Sequence, residues 1–206
     1  MTETGPDKGA LNSYRRITER LVLEVPNFDD APDLFGLVGG EDRAEVTAGL
    51  IWDGPDEVSE TLDFIRRCQT EAFDDFGFHW ALKDRTGAIT GQVQIAMGMI
   101  GTRPRGEPGR ADVGYWLGRP HWGRGLMREA LTSVLDLCFG DLKVTKVEAD
   151  IFTDNVRSVR LAEGVGMKRE GTIRRAHRKG DSWVDAHIYG LLNEEWVSVP
   201  RLETLA

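Results

Sequence analysis

The chain has 206 residues and a formal net charge of −8, with 40% hydrophobic and 29% charged residues. This length allows one well-buried core, the composition is that of a globular protein, and the acidic balance argues against nucleic acid as a partner. No apolar run reaches the roughly 18 residues that span a bilayer, and the N-terminus lacks the features of a secretory signal. We therefore expect a cytoplasmic protein without a membrane partner, with a disordered tail over 1–12 and a single domain over 13–206.

The first half of the chain predicts strands and helices in alternation. Residues 21–25 predict a strand, and the acids that follow suit the start of a helix. Apolar residues at helical spacing predict a helix over 58–73. Residues 78–82 and 89–99 predict two strands of a hairpin, with Gly87 supplying a positive φ in the turn.

The second half continues this pattern. Two prolines and three glycines predict an exposed, mobile loop over 101–110. The further elements expected are strands at 111–117, 146–152, 172–178 and 182–192, and helices at 126–138 and 155–163, the latter closed by Gly164. The alternation is too irregular for a doubly wound parallel sheet, so the pattern predicts an α/β (α+β) fold with a mixed sheet.

The most informative stretch is 118–127, Gly-Arg-Pro-His-Trp-Gly-Arg-Gly-Leu-Met, between a predicted strand and an amphipathic helix. A Gly-x-Gly turn that opens a helix leaves N–H groups unpaired at the positive end of the dipole, which favours a pyrophosphate. A P-loop would need Lys and Ser or Thr at Leu126 and Met127, and a dinucleotide fingerprint would need Gly or Ala at Arg128. Both are disfavoured; an ordinary strand-to-helix turn remains the alternative.

Two runs together resemble the acyl-CoA signature of the GNAT N-acyltransferase superfamily: Asp-Val-Gly-Tyr-Trp-Leu at 112–117 and Trp-Gly-Arg-Gly-Leu-Met-Arg-Glu-Ala-Leu at 122–131. More narrowly, the chain is similar to the RimJ/RimL-like branch of ribosomal-protein N-terminal acetyltransferases. The stretches 18–23, 86–91, 155–158 and 170–171 agree with that branch in order, so the likeness covers about 16–196.

The resemblance implies one GNAT acyltransferase domain over 13–206. Its sheet would be mixed and mostly antiparallel, with flanking helices and splayed central strands that admit an acyl-CoA. It implies acetyl-CoA, or another acyl-CoA, as co-substrate, an amine acceptor as the other partner, and no metal. Members of the superfamily are often homodimers, although no residue of this sequence marks an interface.

By position, the resemblance also implies which residues bind the cofactor. The pyrophosphate would rest on main-chain amides of Trp122, Gly123, Arg124, Gly125, Leu126 and Met127. The pantetheine arm would pair with the strand at Tyr115, Trp116 and Leu117, and Asn155 would contact the same arm. Trp122 and Met127 depart from the commonest residues of the superfamily, but neither change removes an amide donor.

Acyl transfer to an amine needs a neutral nucleophile, a polarised carbonyl and a proton for the leaving thiolate. Asp112 is the first candidate base, because it lies on the strand beside the cofactor gap, and a structural carboxylate is the alternative interpretation. Glu148, on the adjacent strand, is the second candidate. His121 has a suitable intrinsic pKa, but it lies in the stretch 118–127 that is expected to bind the pyrophosphate, called the phosphate turn below. A loop residue without a catalytic role is expected there.

The sequence indicates the proton donor to sulfur less directly than it indicates the base. Many superfamily members use a Tyr in the helix after the fifth strand, and the corresponding position here is Ala162. The resemblance implies Ser158 as the donor instead, a surface Ser without a chemical role being the alternative. Tyr115 and Tyr189 are substitutes.

The function expected is transfer of acetyl from acetyl-CoA to a primary amine such as a protein or peptide N-terminal α-amine. An α-amine, with a pKa of about 7.8, is neutral far more often at pH 7 than a lysine at about 10.4. The alternatives are acylation, with acetyl or succinyl, of a small-molecule amine or antibiotic, and a non-catalytic CoA-binding regulator, which the absence of the usual Tyr favours.

Overall fold

The computed structural model describes residues 14–70 and 77–197, and these contain eight strands and five α-helices. The strands are β1 (Arg16–Ile17), β2 (Leu21–Glu24), β3 (Phe78–Asp84), β4 (Ala96–Pro104), β5 (Arg110–Leu117), β6 (Lys146–Phe152), β7 (Lys168–Lys179) and β8 (Ser182–Leu192). The helices are α1 (Ala31–Val38), α2 (Arg43–Thr47), α3 (Val58–Thr70), α4 (Leu126–Asp136) and α5 (Val156–Gly164). The expected tail over 1–12 lies outside the described residues, and so do residues 71–73 of the helix expected over 58–73.

One sheet connects all these strands, in the order β1-β2-β3-β4-β5-β6-β8-β7. One face packs on α4, whose Ala130, Leu131 and Val134 recur at helical spacing and are fully buried. The other face packs on α1 and α3, through Leu34 and Ile65. The described helices therefore cover both faces of the sheet, and none of them is both long enough and apolar enough to cross a membrane.

The centre of the sheet opens into a gap. β5 and β6 are parallel, and they pair only where Arg110–Asp112 lies beside Lys146–Glu148. All other pairs in the sheet are antiparallel. Beyond Asp112 and Glu148 the two strands diverge, so the edge of β5 that faces β6 has no strand partner. This confirms the predicted mixed, mostly antiparallel sheet with splayed central strands and flanking helices.

Two boundary predictions were wrong. Residues 89–95 form turns rather than the first half of a strand, because the buried Asp84 carboxylate accepts main-chain N–H groups from Ile89 and Thr90 and folds the segment around itself. The expected loop over 101–110 is only 105–109, since β4 continues to Pro104. Gly101 is there for close packing: a Cβ would lie 2.3 Å from His79 Nδ1.

The end of α5 differs slightly from expectation. Gly164 is still helical, and the left-handed residue is Gly166, with φ of 94°. Its N–H donates to the Glu163 carbonyl at 3.0 Å, and Met167 N–H donates to the Ala162 carbonyl at the same distance. These bonds satisfy the last helical carbonyls and direct the chain into β7.

Candidate active site

The turn between β5 and α4 has the conformation that its glycines predict. Gly123 and Gly125 have φ angles of 72° and 74°, in the left-handed region. An added Cβ would meet no atom within 4 Å at Gly123 and only Arg20 Nη2, at 3.6 Å, at Gly125. The glycines are therefore required by backbone conformation, and the surface above them is open to a ligand.

The main-chain N–H groups of Gly123 to Arg128 donate no hydrogen bond to any other residue that the structure describes. They lie just before α4 and in its first turn, at the positive end of its dipole, which suits an anion. Trp122 is an exception to the expected set, because its N–H already donates to the Arg119 carbonyl at 3.2 Å. The amides available for a pyrophosphate therefore begin at Gly123.

A cavity of about 860 Å³ occupies the gap between β5 and β6 and extends over the face of the sheet that carries α1 and α3. Of the residues expected at the site, its lining includes Asp112, Tyr115, Trp116, Asn155 and Ser158. Its outer wall is formed mostly by residues 49–55 and by α3. Leu117, Glu148 and the turn at 122–127 are outside this lining. The cavity thus brings together three of the four residues expected to contact the pantetheine arm, Leu117 being the exception, beside a volume suited to a small ligand.

Sequence comparisons agree with this geometry. The family model for the acetyltransferase (GNAT) domain matches residues 20–168. A protein of Bacillus licheniformis named uncharacterized N-acetyltransferase p20 is 33% identical over 180 residues, which are 87% of this chain and 96% of that protein. The chain belongs to the GNAT acetyltransferase family. It is therefore an acyltransferase, as the resemblance implied.

Solved structures show the same fold in related acetyltransferases. Mycobacterium smegmatis RimJ, in complex with CoA-disulfide, has a TM-score of 0.74 at 20% identity, covering 88% of this chain and 86% of that one. The microcin C7 self-immunity acetyltransferase MccE, in complex with acetyl-CoA and AMP, has a TM-score of 0.72 at 20% identity, covering 84% and 93%. At 20% identity, these matches show a shared fold.

In this acetyltransferase, Arg20 holds the phosphate turn in position. Its Nη1 donates to the Arg124 carbonyl at 2.9 Å, and its Nε donates to Glu129 Oε2 at 2.7 Å. Glu129 also accepts the Arg20 main-chain N–H, at 2.8 Å. The carbonyl and the next N–H of a trans peptide point in opposite directions, so this bond directs the Gly125 N–H away from Arg20. Sequence reasoning missed Arg20, since its partners lie more than a hundred residues away.

Replacing Arg20 by methionine is expected to weaken acetyl-CoA binding about 3- to 10-fold, because the turn loses the donor that orients it; one hydrogen bond to a charged group contributes about 1.5 kcal/mol. Isothermal titration calorimetry would measure the change. Arg15→Met is the matched control, as the one ion pair that Arg15 forms with a described residue is with Glu24, at 3.0 Å. Equal affinities in the two variants would contradict a role for Arg20 in the turn.

Trp122 and Leu117 are hydrogen-bonded to each other, and their expected contacts with the cofactor stay predictions. The Trp122 indole Nε1 donates to the Leu117 carbonyl at 2.6 Å, which joins the end of β5 to the turn. The Arg157 guanidinium lies over the Trp122 ring, 4.1 Å from its centroid. Arg157 also reaches Glu45 of α2, at 3.7 Å. The Trp122 ring therefore connects β5, the turn and α5.

Two hydroxyls meet at the inner end of the gap. Burial raises the pKa of Tyr115 to about 12, against a smaller lowering by the Ser158 hydroxyl, so the two side chains lie close together. The Tyr115 hydroxyl is nevertheless buried without a hydrogen bond of good geometry to any described residue. A buried donor without a partner is costly and is commonly explained by a ligand. The pair can therefore present an O–H group to an atom in the gap.

Asn155 has a structural task in this fold. Its Oδ1 accepts the Ser158 N–H at 3.1 Å and caps α5. Its Nδ2 faces Gly49, where an added Cβ would lie only 2.1 Å away. Its expected contact with the cofactor arm stays a prediction; the cap itself fixes the start of the helix that carries Ser158.

The two carboxylates expected as bases occupy different surroundings. Asp112 lines the cavity, and both of its oxygens lie 3.0 Å from Arg103 Nε. Burial raises the pKa of Asp112, and the charge and hydrogen bond of Arg103 only partly oppose it. Glu148 is buried outside the lining, with Arg110 at 2.5 Å and Lys146 at 3.4 Å.

The pKa of Glu148 follows from these partners. Burial alone would raise it, but the hydrogen bond from Arg110 and the charges of Lys146 and Arg105 together lower it. A carboxylate held ionised by several cations is a weak proton acceptor. Both base assignments stay predictions, and the geometry favours Asp112 over Glu148.

The remaining candidates lie away from the cavity. Tyr189 is buried in the core, and its hydroxyl donates to Glu163 Oε1 at 3.0 Å. His121 sits in the turn before Trp122, where burial and the charge of Arg124 lower its pKa. Neither residue lines the gap. Among the described residues, no group of three or more His, Cys, Asp or Glu is arranged to hold a metal ion.

Proposed function

We propose that this acetyltransferase moves an acetyl group from acetyl-CoA to a primary amine, foremost the α-amine of a protein or peptide N-terminus. The observation that carries the proposal is the unpartnered edge of β5 in the gap, with Tyr115 and Ser158 at its inner end and the unpaired amides of Gly123 to Arg128 beside it. A thioester needs such an arrangement: an anchor for the diphosphate, an extended edge for the arm, and a hydroxyl near sulfur.

The acceptor side supports an amine on a weakly charged carrier. Asp112 and Asp150, the two aspartates of the cavity lining, are each paired with an arginine. Glu60 is the lining carboxylate without an ion pair to a described residue, so this side suits a single cationic amine better than a polycation. Trp52 and Trp116 stand edge to face in the wall, with ring centroids 6.5 Å apart. An α-amine also needs less help to lose its proton than a lysine does.

The reaction uses few groups of the chain. The neutral amine attacks the thioester carbonyl, the C–N bond forms, and the C–S electron pair leaves with sulfur. We assign the Ser158 hydroxyl, beside Tyr115, the proton that sulfur receives. The wall at 49–55 limits access of water to the thioester.

The proposal is tested by thiol release from acetyl-CoA with N-terminal peptides, lysine-blocked peptides and small amines, followed by mass spectrometry of the products. We expect acetylated peptide α-amines. A small-molecule amine is the second candidate, because a cavity of about 860 Å³ falls within the range of small-ligand sites. Turnover confined to small amines would replace the first proposal by the second. Tight acetyl-CoA binding without any turnover would indicate a regulator.

Replacing Ser158 by alanine is expected to lower kcat about 10- to 100-fold and to change acetyl-CoA affinity little, because a proton donor acts only as the thiolate leaves. Steady-state kinetics and calorimetry measure the two quantities. Ser182→Ala, an exposed position outside the cavity, is the matched control. An unchanged kcat in Ser158→Ala would remove this hydroxyl from the mechanism and leave Tyr115 as the donor to test.

A further inference from the structure

A bulge in β7 places a histidine at the cavity. After a first register shift between Arg169 and Gly171, β7 and β8 pair regularly from Gly171 opposite Ile188 to Ile173 opposite Ala186. Pairing resumes with His177 opposite Val184, so Asp185 alone faces the residues between. Arg175 within the bulge has a φ of 52°, unusual for a residue with a side chain. Its N–H donates to Asp185 Oδ1 at 2.7 Å. Bulges of this kind re-aim side chains beside active sites.

The bulge changes which residue reaches the gap. An unbroken ladder from Ile173 would place Arg175 opposite Val184, whereas the bulge places His177 there. His177 lines the cavity that holds Tyr115 and Ser158. Its ring lies 5.9 Å from that of Phe152, at the end of β6. The bulge thus places the imidazole of His177, rather than the guanidinium of Arg175, opposite Val184.

The two ring nitrogens of His177 have different surroundings. Nε2 is buried, forms no hydrogen bond to a described residue, and lies 3.4 Å from Asp150 Oδ2. The other carboxylate oxygen, Asp150 Oδ1, accepts Arg105 Nη1 at 2.7 Å. Nδ1 is neither hydrogen-bonded within the described part of the chain nor buried like Nε2. A carboxylate beside Nε2 favours the tautomer with its proton there, which leaves the Nδ1 lone pair to the cavity.

We infer that His177 is the general base of the proposed acyl transfer and that Asp150 is its positioning residue. As the amine nitrogen bonds to the thioester carbon, His177 Nδ1 takes one N–H proton, and the imidazolium is stabilised by Asp150. The C–S pair leaves with sulfur, which is protonated by Ser158. Solvent then returns the proton from His177 to Ser158, so the amine proton lost equals the thiol proton gained.

His177 differs from the two carboxylates considered as bases because its proton-accepting atom, Nδ1, is accessible. Asp112 offers oxygens that both face Arg103 Nε at 3.0 Å, and Glu148 is buried outside the cavity lining. His177 offers an accessible nitrogen supported by a carboxylate, the arrangement that orients histidine bases in general. The inference rests on the proposed amine acylation.

The test compares His177→Ala, Asp112→Asn and His187→Ala by thiol release from acetyl-CoA with the best acceptor found for the wild type. His187, the matched control, pairs with Thr172 at 2.8 Å and is outside the cavity lining. His177→Ala is expected to lose about 100-fold or more in kcat, with acetyl-CoA affinity unchanged. Added imidazole should restore part of that rate in proportion to its concentration, which a structural role would not permit.

Asp150→Asn supplies the second measurement. It keeps the shape of the side chain, and we expect a smaller fall in kcat than in His177→Ala, with KM unchanged. Wild-type activity in His177→Ala, or a loss that imidazole does not rescue while Asp112→Asn is inactive, would overturn the inference but leave the proposed function standing. A wild-type enzyme that binds acetyl-CoA and acylates no amine would overturn both.

Discussion

Gly125→Val is expected to weaken acetyl-CoA binding about 10- to 100-fold. Gly125 has a φ of 74°, and a left-handed conformation costs a residue with a side chain about 1–2 kcal/mol, more when it is β-branched. The turn can relieve that strain only by changing the backbone that presents its amides. Nearby atoms do not forbid the substitution, because the nearest to an added Cβ is the mobile end of Arg20.

The matched control for this variant is Gly106→Val. Gly106 has a φ of 63°, has no atom within 4 Å of an added Cβ, and lies in the loop between β4 and β5. Backbone strain is thus similar, but the position is outside the phosphate turn. Calorimetric titration of acetyl-CoA, with melting temperatures, would compare the two. Normal affinity in Gly125→Val would contradict the assignment of this turn to the diphosphate.

Asp84→Ala is expected to lower the free energy of unfolding by about 2–4 kcal/mol. The Asp84 side chain is fully buried. It accepts the main-chain N–H groups of Thr86 at 3.2 Å, Gly87 at 2.9 Å, Ile89 at 2.8 Å and Thr90 at 2.8 Å. Removing the carboxylate leaves partly buried donors without an acceptor, and each fully buried donor of this kind would cost about 1–3 kcal/mol.

The effect of Asp84 depends on pH in a defined direction. Burial alone would raise its pKa, but the hydrogen bonds from Thr90, Ile89, Thr86 and Gly87 outweigh burial and lower it. A carboxyl with a lowered pKa stabilises the folded state above its unfolded value of about 3.9, and the contribution is lost as the pH falls through the folded pKa. The wild type should therefore exceed Asp84→Ala in stability by a constant amount at neutral pH and by progressively less below about pH 4.

Urea denaturation at several pH values would measure this difference. Asp181→Ala, in the exposed turn between β7 and β8, is the control and should change stability by less than about 0.5 kcal/mol. If the difference in the free energy of unfolding between the wild type and Asp84→Ala does not decrease at low pH, the proposed role of the Asp84 charge is contradicted.

The sequence predicted those parts of the site whose conformation depends only on neighbouring residues. The glycines at 123 and 125, followed by an amphipathic run, specify a left-handed turn and a helix start without reference to the rest of the chain. Likewise, apolar residues alternate with others over 111–117 and 146–152, which predicts strands. Prediction failed at 89–95 and 101–104, because the decisive partner was a buried carboxylate in one case and an adjacent strand in the other.

The sequence by itself determined the β5–turn–α4 unit and the mixed sheet, because backbone conformation and hydrophobic period are local properties of neighbouring residues. Only the tertiary structure decided which charged groups meet. Arg20 reaches the phosphate turn, Arg103 covers Asp112, and the bulge in β7 turns His177 toward Asp150. Two of these contacts join segments that are distant in sequence, and the third joins neighbouring strands. All three form only once the sheet has set the register and direction of its strands.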